Sequence, residues 1–477
     1  MKYINYKYIT CVTMVCLMLT GCSQWLDVND NPNTTEEVDA KYLFNYAAVC
    51  WSGDRLSGNT YIPLVFAAQI QADGGPSGSF QASKYEMSTQ RQAVWYNRYS
   101  VVGNNLQLAL ETLKKGTTSQ PNAEAQCKIL LAMQIYELTM LFGDVPFTES
   151  WNQSVKYPKF DKQEDILNGV INMLDEAIGL INLEDSHCID DYDSYFNGDM
   201  DKWKIIANSL KFRTLMVMVD ADPSKAEEIG KMIKANGMIS SAANNMEFKY
   251  FDKAGNQNPK KRFSMSAGRN MILAHNSVLK PMLQYNDSRI PQYFTSKSGG
   301  TYIGLDTQEY YTETASIIGD YLYRSTCPDL IYSYQEQLLL EAEVYARGIG
   351  VARDLGKANA LYKTGIQVAC DYYEADAAAT ATFIASLPDL SALTPEKALY
   401  EIHIQQWIDL MDRPSEAFVQ WRRSGPKGGE VPDLKVPPLN SHPGVMRRWA
   451  YPESELNSNH NAPETVPELW EAMWFDL

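Results

Sequence analysis

Apolar residues recur at every third or fourth position through most of the chain, the period of one face of a helix. Residues 122–142 place Ala125, Ile129, Ala132, Tyr136 and Met140 on such a face, with Asn122 as the candidate N-cap and Gly143 just past the end. Residues 162–181 carry Leu167, Val170, Leu174, Ile178 and Ile181 after a capping-box-like Asp161 to Glu164. Residues 201–219 carry Trp203, Ile206, Leu210, Thr214 and Val217. Further helices are predicted over 333–347 and 354–372. A last one, 395–412, opens on Thr394-Pro395 and is apolar nearly all round, which predicts burial. No apolar–polar alternation runs through the chain as a whole, so the predicted fold class is mainly α.

The segments at 333–347 and 354–372 carry Ala and Tyr at close-packing positions, with Gly348 and Gly350 in the turn between them. This resembles a tetratricopeptide-type helical hairpin. Between the helical segments lie four irregular stretches: 51–91, 184–200, 240–325 and the Gly/Pro-rich 424–443. They are too long for simple connectors and are the expected seat of function. Residues 299–323 could add short strands. The expectation is a scaffold of tetratricopeptide-like hairpins with an irregular, loop-rich ligand-binding face.

The start of the chain follows another pattern. Lys2 and Lys7 flank the approach to a charge-free apolar run, Ile9 to Thr20, shorter than the ~20 residues that span a bilayer. Leu19-Thr20-Gly21-Cys22 fits a bacterial lipobox, with cleavage before Cys22 and acylation of its sulfur and new amine. Residues 1–21 are therefore expected to be a lipoprotein signal peptide and 22–40 a lipidated, polar tether. Residues 41–477 are expected to form a single helical domain held at a membrane by lipid.

Composition narrows the chemistry. The formal charge is −16, and removal of Lys2 and Lys7 would make the remainder two charges more negative. Such a chain is no nucleic-acid binder and is not held on anionic lipid by basic patches. Cys50, Cys127, Cys188, Cys327 and Cys370 would remain, odd in number and irregularly spaced, which suggests neither a zinc site nor a disulfide framework. Cys127 and Cys370 fall in helical apolar patterns and read as core residues. GxSxG, HExxH and GxxxxGK[ST] are all missing, and the five histidines have no nucleophile partner in a recognisable motif. No catalytic residue and no metal ligand is assigned. Gly74-Gly75-Pro76-Ser77-Gly78 reads as an exposed loop. The acids Asp190, Asp191, Asp193, Asp199 and Asp201 are dense enough to hold calcium, but Phe196 stands where an EF-hand loop needs glycine. Asp199 or Asp201 reads as a helix cap.

Aromatic residues make up 11% of the chain. Trp51, Tyr61, Phe80, Tyr302, Tyr310 and Tyr311 fall in irregular stretches near Asn59, Asp73, Gln81, Asp306 and Gln308. Rings that stack, beside amides and acids that take hydroxyls, suit a neutral, hydroxyl-rich ligand. The candidate ligand face joins the 51–91 and 299–311 loops through Asp73, Phe80, Gln81, Tyr302, Asp306, Tyr310 and Tyr311. Trp95 and Tyr99 sit at helical spacing and read as core.

A set of short motifs then falls in a recognisable order. Cys22 is followed by Trp25-Leu26-Asp27-Val28-Asn29-Asp30-Asn31-Pro32-Asn33, and an early helix carries Trp95-Tyr96-Asn97-Arg98-Tyr99. Next come Leu141-Phe142-Gly143-Asp144-Val145-Pro146-Phe147, Gly198-Asp199 with Lys202-Trp203, and Ala207-Asn208-Ser209-Leu210. Glu341-Ala342-Glu343 with Arg347-Gly348, Gln405-Gln406-Trp407, and Glu416-Ala417 to Trp421-Arg422-Arg423-Ser424-Gly425 follow, and Arg448 to Tyr451-Pro452-Glu453-Ser454-Glu455 closes the series. Together these resemble SusD/RagB-like outer-membrane lipoproteins, the second SusD-like subgroup in particular. Gln406 stands where that family usually has Lys, and the asparagines after Glu455 are compressed to Asn457, Asn459 and Asn461.

The resemblance covers residues 22–477. It implies a lipid-anchored protein on the outer face of a Gram-negative outer membrane. It also implies a lid-like partner role for a SusC-like TonB-dependent transporter, capturing a nutrient ligand without catalysis. An oligosaccharide is the implied ligand; a peptide is the alternative within the class. The rivals from other classes are a surface glycosidase and a structural subunit that binds only the transporter. No cofactor is expected beyond the calcium ion that the acidic run could hold.

Overall fold

Helices form where the apolar spacing asks for them. The computed structural model describes residues 38–75, 81–261, 271–307, 314–438 and 442–477, and the body considered below runs from Ala40 to Leu477. It opens with α1 (Ala40–Arg55), α2 (Tyr61–Ala67) and α3 (Ser88–Tyr96), which runs through a π-helical segment, Asn97–Gly103, into α4 (Asn104–Lys115). Then come α5 (Pro121–Phe142), α6 (Gln163–Leu180), α7 (Met200–Met218) and α8 (Lys225–Ala235). After α9 (Asn276–Gln284) and α10 (Ile290–Tyr293) follow α11 (Tyr334–Arg347), α12 (Leu355–Tyr372) and α13 (Ala377–Ser386). The last three are α14 (Pro395–Asp409), α15 (Pro414–Arg423) and α16 (Glu453–Ser458). Three small antiparallel pairs complete the body: β1 (Gln71–Asp73) with β5 (Ile272–Ala274), β2 (Val145–Pro146) with β3 (Phe160–Asp161), and β4 (Met246–Phe248) with β6 (Asp329–Tyr332).

All six helices read from the pattern are present within a turn of their expected ends. Consecutive helices pack as tetratricopeptide-like hairpins. In the pair α11–α12, Ala342, Tyr345 and Ala346 bury against Ala358, Tyr362, Ile366 and Cys370, and Phe383, Leu387, Ala398 and Ile402 extend the same core. The turn between them needs its glycines. Gly350 has φ 63°, and a Cβ there would lie 1.8 Å from the Ala226 carbonyl oxygen at the start of α8. In α14 the whole run Ile402 to Leu410 is buried, as its all-round apolarity predicts.

The caps divide. Asp199 caps α7, accepting the Lys202 N–H at 3.2 Å. Asn122 does not cap α5: Pro121, with no N–H to satisfy, already occupies the first helical position and Gln120 precedes it. The Asn122 amide instead donates to Asn182 O at 2.9 Å and Asp185 O at 2.7 Å, tying α5 to the chain after α6. The Asp161–Glu164 capping box is not formed. Asp161 lies in β3 and accepts the N–H groups of Phe147 (3.0 Å) and Thr148 (2.8 Å), while Asp144 takes the Gln163 N–H.

The irregular stretches are also more ordered than expected. Residues 51–91 include the end of α1, all of α2 and the start of α3, and 240–325 holds β4, β5, α9 and α10. Trp51 and Tyr61 are therefore helical and fully buried, and do not belong to a loop. Trp51 Nε1 donates to Glu137 at 2.8 Å, and the Tyr61 hydroxyl donates to Asp412 at 2.8 Å. Residues 299–323 contribute isolated bridges at Leu305, Ile317 and Ile318.

The helices meet on charge as well as on apolar surface. Arg55 from α1 faces Glu137 of α5, Asp329 of β6 (3.0 Å) and Glu416 of α15 (3.2 Å). Arg98 reaches Asp54 at 3.3 Å and Glu137 at 3.1 Å. Arg213 and Arg413 share Glu336 at 2.7 and 2.5 Å. Gln406, in the family's Lys position, donates to Glu343 at 3.1 Å. Every one of these groups is buried, and an ion with several partners inside a protein is costly to strip of any one of them. Among the described residues the five cysteines form no disulfide, and no helix is long and apolar enough to cross a membrane.

Candidate functional site

The two stretches nominated by their composition meet across β5. Its partner β1 lies in the register Gln71↔Ala274, Ala72↔Leu273 and Asp73↔Ile272. The same strand also takes the segments at Leu305 and Ile317: Leu305 N–H donates to Ala274 O at 2.9 Å, and Leu273 bridges Ile317. Ala72, Leu273, Leu305 and Ala315 bury together as a small core.

Gln69 locks this face. Its backbone has φ 55°, a conformation that costs a non-glycine residue of order 1 kcal/mol or more and must be held by its surroundings. The Gln69 side chain donates to Lys435 O at 2.6 Å and accepts Lys435 N–H at 3.2 Å and the Thr307 hydroxyl. Its carbonyl accepts the Ser277 hydroxyl at 2.5 Å. His275 completes the chain of bonds. Nδ1 accepts the Ser277 N–H at 3.0 Å, so Nε2 carries the proton and donates to Thr307 Oγ1 at 2.9 Å. Burial pushes the His275 imidazole down to about 4, so it is neutral at pH 7 with both nitrogens occupied. These bonds tie the histidine to Ser277 and Thr307 and so hold the 303–307 segment against β5.

The nominated residues occupy different places on this face. Asp73 ends β1 and is buried; its carboxylate accepts Gly75 N–H at 2.8 Å and the Ser83 hydroxyl at 2.7 Å, so it shapes the loop that follows. Gly74 and Gly75 are buried as well, not exposed, because Gly74 N–H extends the pairing to Met271 O at 2.8 Å. Gln81 is exposed at the head of a 3₁₀ turn, Gln81–Lys84. Tyr302 is half-buried on the segment that leads into Leu305. Asp306 is exposed and paired with Lys280 at 3.0 Å; burial alone would raise its carboxyl, and the ammonium outweighs this and holds it below the usual range. Phe80, Tyr310, Tyr311 and the lipobox Cys22 lie outside the described residues.

Gln69, His275, Thr307 and Lys435 had no signal in the sequence, since Gln69 and Lys435 are 366 positions apart. In the acidic run, Asp193 is buried and its oxygens take the Trp203 indole N–H at 2.7 Å and the Tyr195 and Gly198 N–H groups at 3.0 Å. With Asp199 spent on its cap, these two acids build the entry to α7. Trp95 is core, whereas Tyr99 is half-buried and reaches a surface cleft.

Residues 32–452 match the family model SusD-like_2, described as starch-binding and associating with the outer membrane. No curated protein matches the chain. Among solved structures, a chitin-binding protein is similar at 25% identity over 92% of this chain and 100% of its own, with a TM-score of 0.76. A SusD homolog from Bacteroides fragilis is 19% identical over 92% of this chain and 100% of its own, with a TM-score of 0.76. A SusD/RagB family protein from Bacteroides thetaiotaomicron is 20% identical over 92% and 99%, with a TM-score of 0.73, and these last two share the fold. The helical scaffold and the match over nearly the whole body agree: the chain belongs to the SusD-like family of outer-membrane-associated proteins.

Proposed function

We propose that this chain is a lipid-anchored surface protein that captures an oligosaccharide and passes it to a SusC-like TonB-dependent transporter, without catalysis. The family match over residues 32–452 carries the reading. The similarity to a chitin-binding protein supports a carbohydrate ligand, and the lipobox ending at Cys22 supports the anchor. The ligand face is the β1–β5 edge. There a pyranose lays its C–H face on Tyr302 and gives hydroxyls to Asp306 and Gln81, while Asp73 keeps the intervening loop in place. Phe80, Tyr310 and Tyr311 are candidates for this face from the sequence alone.

The test is to present the full chain in detergent to an immobilised array of oligosaccharides and peptides. At least one oligosaccharide should be retained. Tyr302→Ala should weaken its binding about tenfold, the scale of one lost aromatic stack and its buried area. Retention of peptides alone would replace this reading with peptide capture. Full affinity in Tyr302→Ala would move the site elsewhere.

A further inference from the structure

A cleft of about 480 Å³, separate from the β1–β5 face, opens between α3, the π-helical segment, the chain at 156–158 and α16, a size within the ~300–1,000 Å³ range of small-ligand sites. It shares no residue with the β1–β5 face. Its walls are aromatic. Tyr96, 60% exposed, and Tyr99 line one side, and Tyr157, packed on His460 with ring centroids 4.4 Å apart, lines the other.

The wall is built, not incidental. π-helical turns are rare and recur at functional sites. Here the segment Asn97–Gly103 continues α3 so that Trp95, Tyr96, Tyr99 and Ser100 all reach the cleft. Trp151 holds the turn: its indole donates to Tyr99 O at 2.7 Å, and its ring packs so tightly on Gly103 that a Cβ there would lie 2.0 Å away. Trp151 adopts φ 58° to do this, an outlier for a bulky residue. Polar groups stand among the rings. Gln92 accepts the Ser454 hydroxyl at 2.6 Å, which joins α3 to α16, and Glu455 accepts the Asn459 amide at 2.8 Å.

We propose that this cleft is a second saccharide subsite, holding a pyranose unit against Tyr96 and Tyr157 with its hydroxyls on Gln92, Ser100 and Glu455. The proposal rests on the reading of the chain as a glycan-capture protein. A pyranose matches both halves of the lining, with C–H faces for the rings and hydroxyls for the amide, hydroxyl and carboxylate. Two separated subsites on one chain would favour a long glycan over a short one, because the second contact is intramolecular.

The experiment titrates the full chain in detergent, by calorimetry, with maltoheptaose, chitohexaose and whichever other oligosaccharides the array retains. Tyr96→Ala and Tyr157→Ala are compared with Tyr302→Ala, and Tyr96→Phe keeps the ring. Tyr96 is exposed, so its replacement should leave the melting temperature unchanged. Each cleft variant should bind about five- to tenfold more weakly, Tyr96→Phe should restore wild-type affinity, and a cleft variant combined with Tyr302→Ala should lose more than either alone. Wild-type affinity in both cleft variants, with loss only in Tyr302→Ala, would overturn the subsite and leave glycan capture standing. Binding of no oligosaccharide by the wild type would overturn both.

Discussion

Glu137 faces two buried guanidiniums at once and also accepts an indole N–H. Arg55 keeps Asp329 and Glu416 if Glu137 is removed, whereas Arg98, among the described residues, keeps Asp54 as its one ion-pair partner. Glu137→Ala should therefore cost about 3–5 kcal/mol, the penalty of leaving a buried charge short of a partner. A urea midpoint unchanged from wild type would show that water reaches these arginines. His275 gives a pH signature. Its folded pKa, about 4, lies below its ordinary 6.5, so the unfolded chain binds a proton first. This contribution is fully present above pH 6.5 and is lost as pH falls toward 4, by about 3 kcal/mol at most. The urea midpoint of His275→Gln should fall less steeply than wild type across that window; parallel curves would refute the assignment. Residues such as these explain what the sequence hides. Ser52, Asp54 and Arg55 fall in a stretch that reads as irregular, yet they are buried on α1 beside Trp51. Their partners at 98, 329 and 416 are invisible to any local reading.

Helices were the legible elements because periodicity is local. Residues 122–142 and 333–347 need only their own spacing to declare an apolar face. Caps were half legible for a related reason. Asp199 binds three residues away, but Asp161 prefers two N–H groups brought by β2–β3 pairing, which no helix pattern encodes. The α11–α12 turn offers a test at this scale. Gly350→Ala would force a side chain into a positive-φ position and against the Ala226 carbonyl, pushing the turn off α8. A loss of about 1–3 kcal/mol is expected, read as a lower melting temperature. An unchanged melting temperature would mean that the turn shifts freely. The β1–β5 pair shows the opposite limit. Three-residue strands carry too little alternation to be read, so the meeting of the 51–91 and 299–311 stretches was nominated by composition and is explained only by β5 between them.

Across the whole molecule, short motifs spread from Cys22 to Glu455 carried more information than any single element. Two of them, the one at Leu141 to Asp144 and the one at Trp449 to Tyr451, mark a place where the scaffold closes on itself. Trp449 N–H binds Leu141 O at 2.7 Å, and the Tyr451 hydroxyl binds Asp144 O at 2.7 Å, joining two of those motifs across the body. The proposed ligand face is less legible because its framework, Gln69 with His275, Thr307 and Lys435, is assembled from four distant places. The anchor is testable at this scale. Cys22→Ala should move the protein from the detergent phase to the aqueous phase in detergent partitioning, since lipid is the proposed hold on the membrane. Detergent partitioning unchanged in Cys22→Ala would contradict it. The central claim is capture without transformation. Its most direct measurement is a saturating titration of the full chain with an array-retained oligosaccharide, followed by mass analysis of the recovered glycan. The account expects saturable binding and a glycan of unchanged length after prolonged incubation. Shortened products, abolished by replacing a single carboxylate, would contradict it.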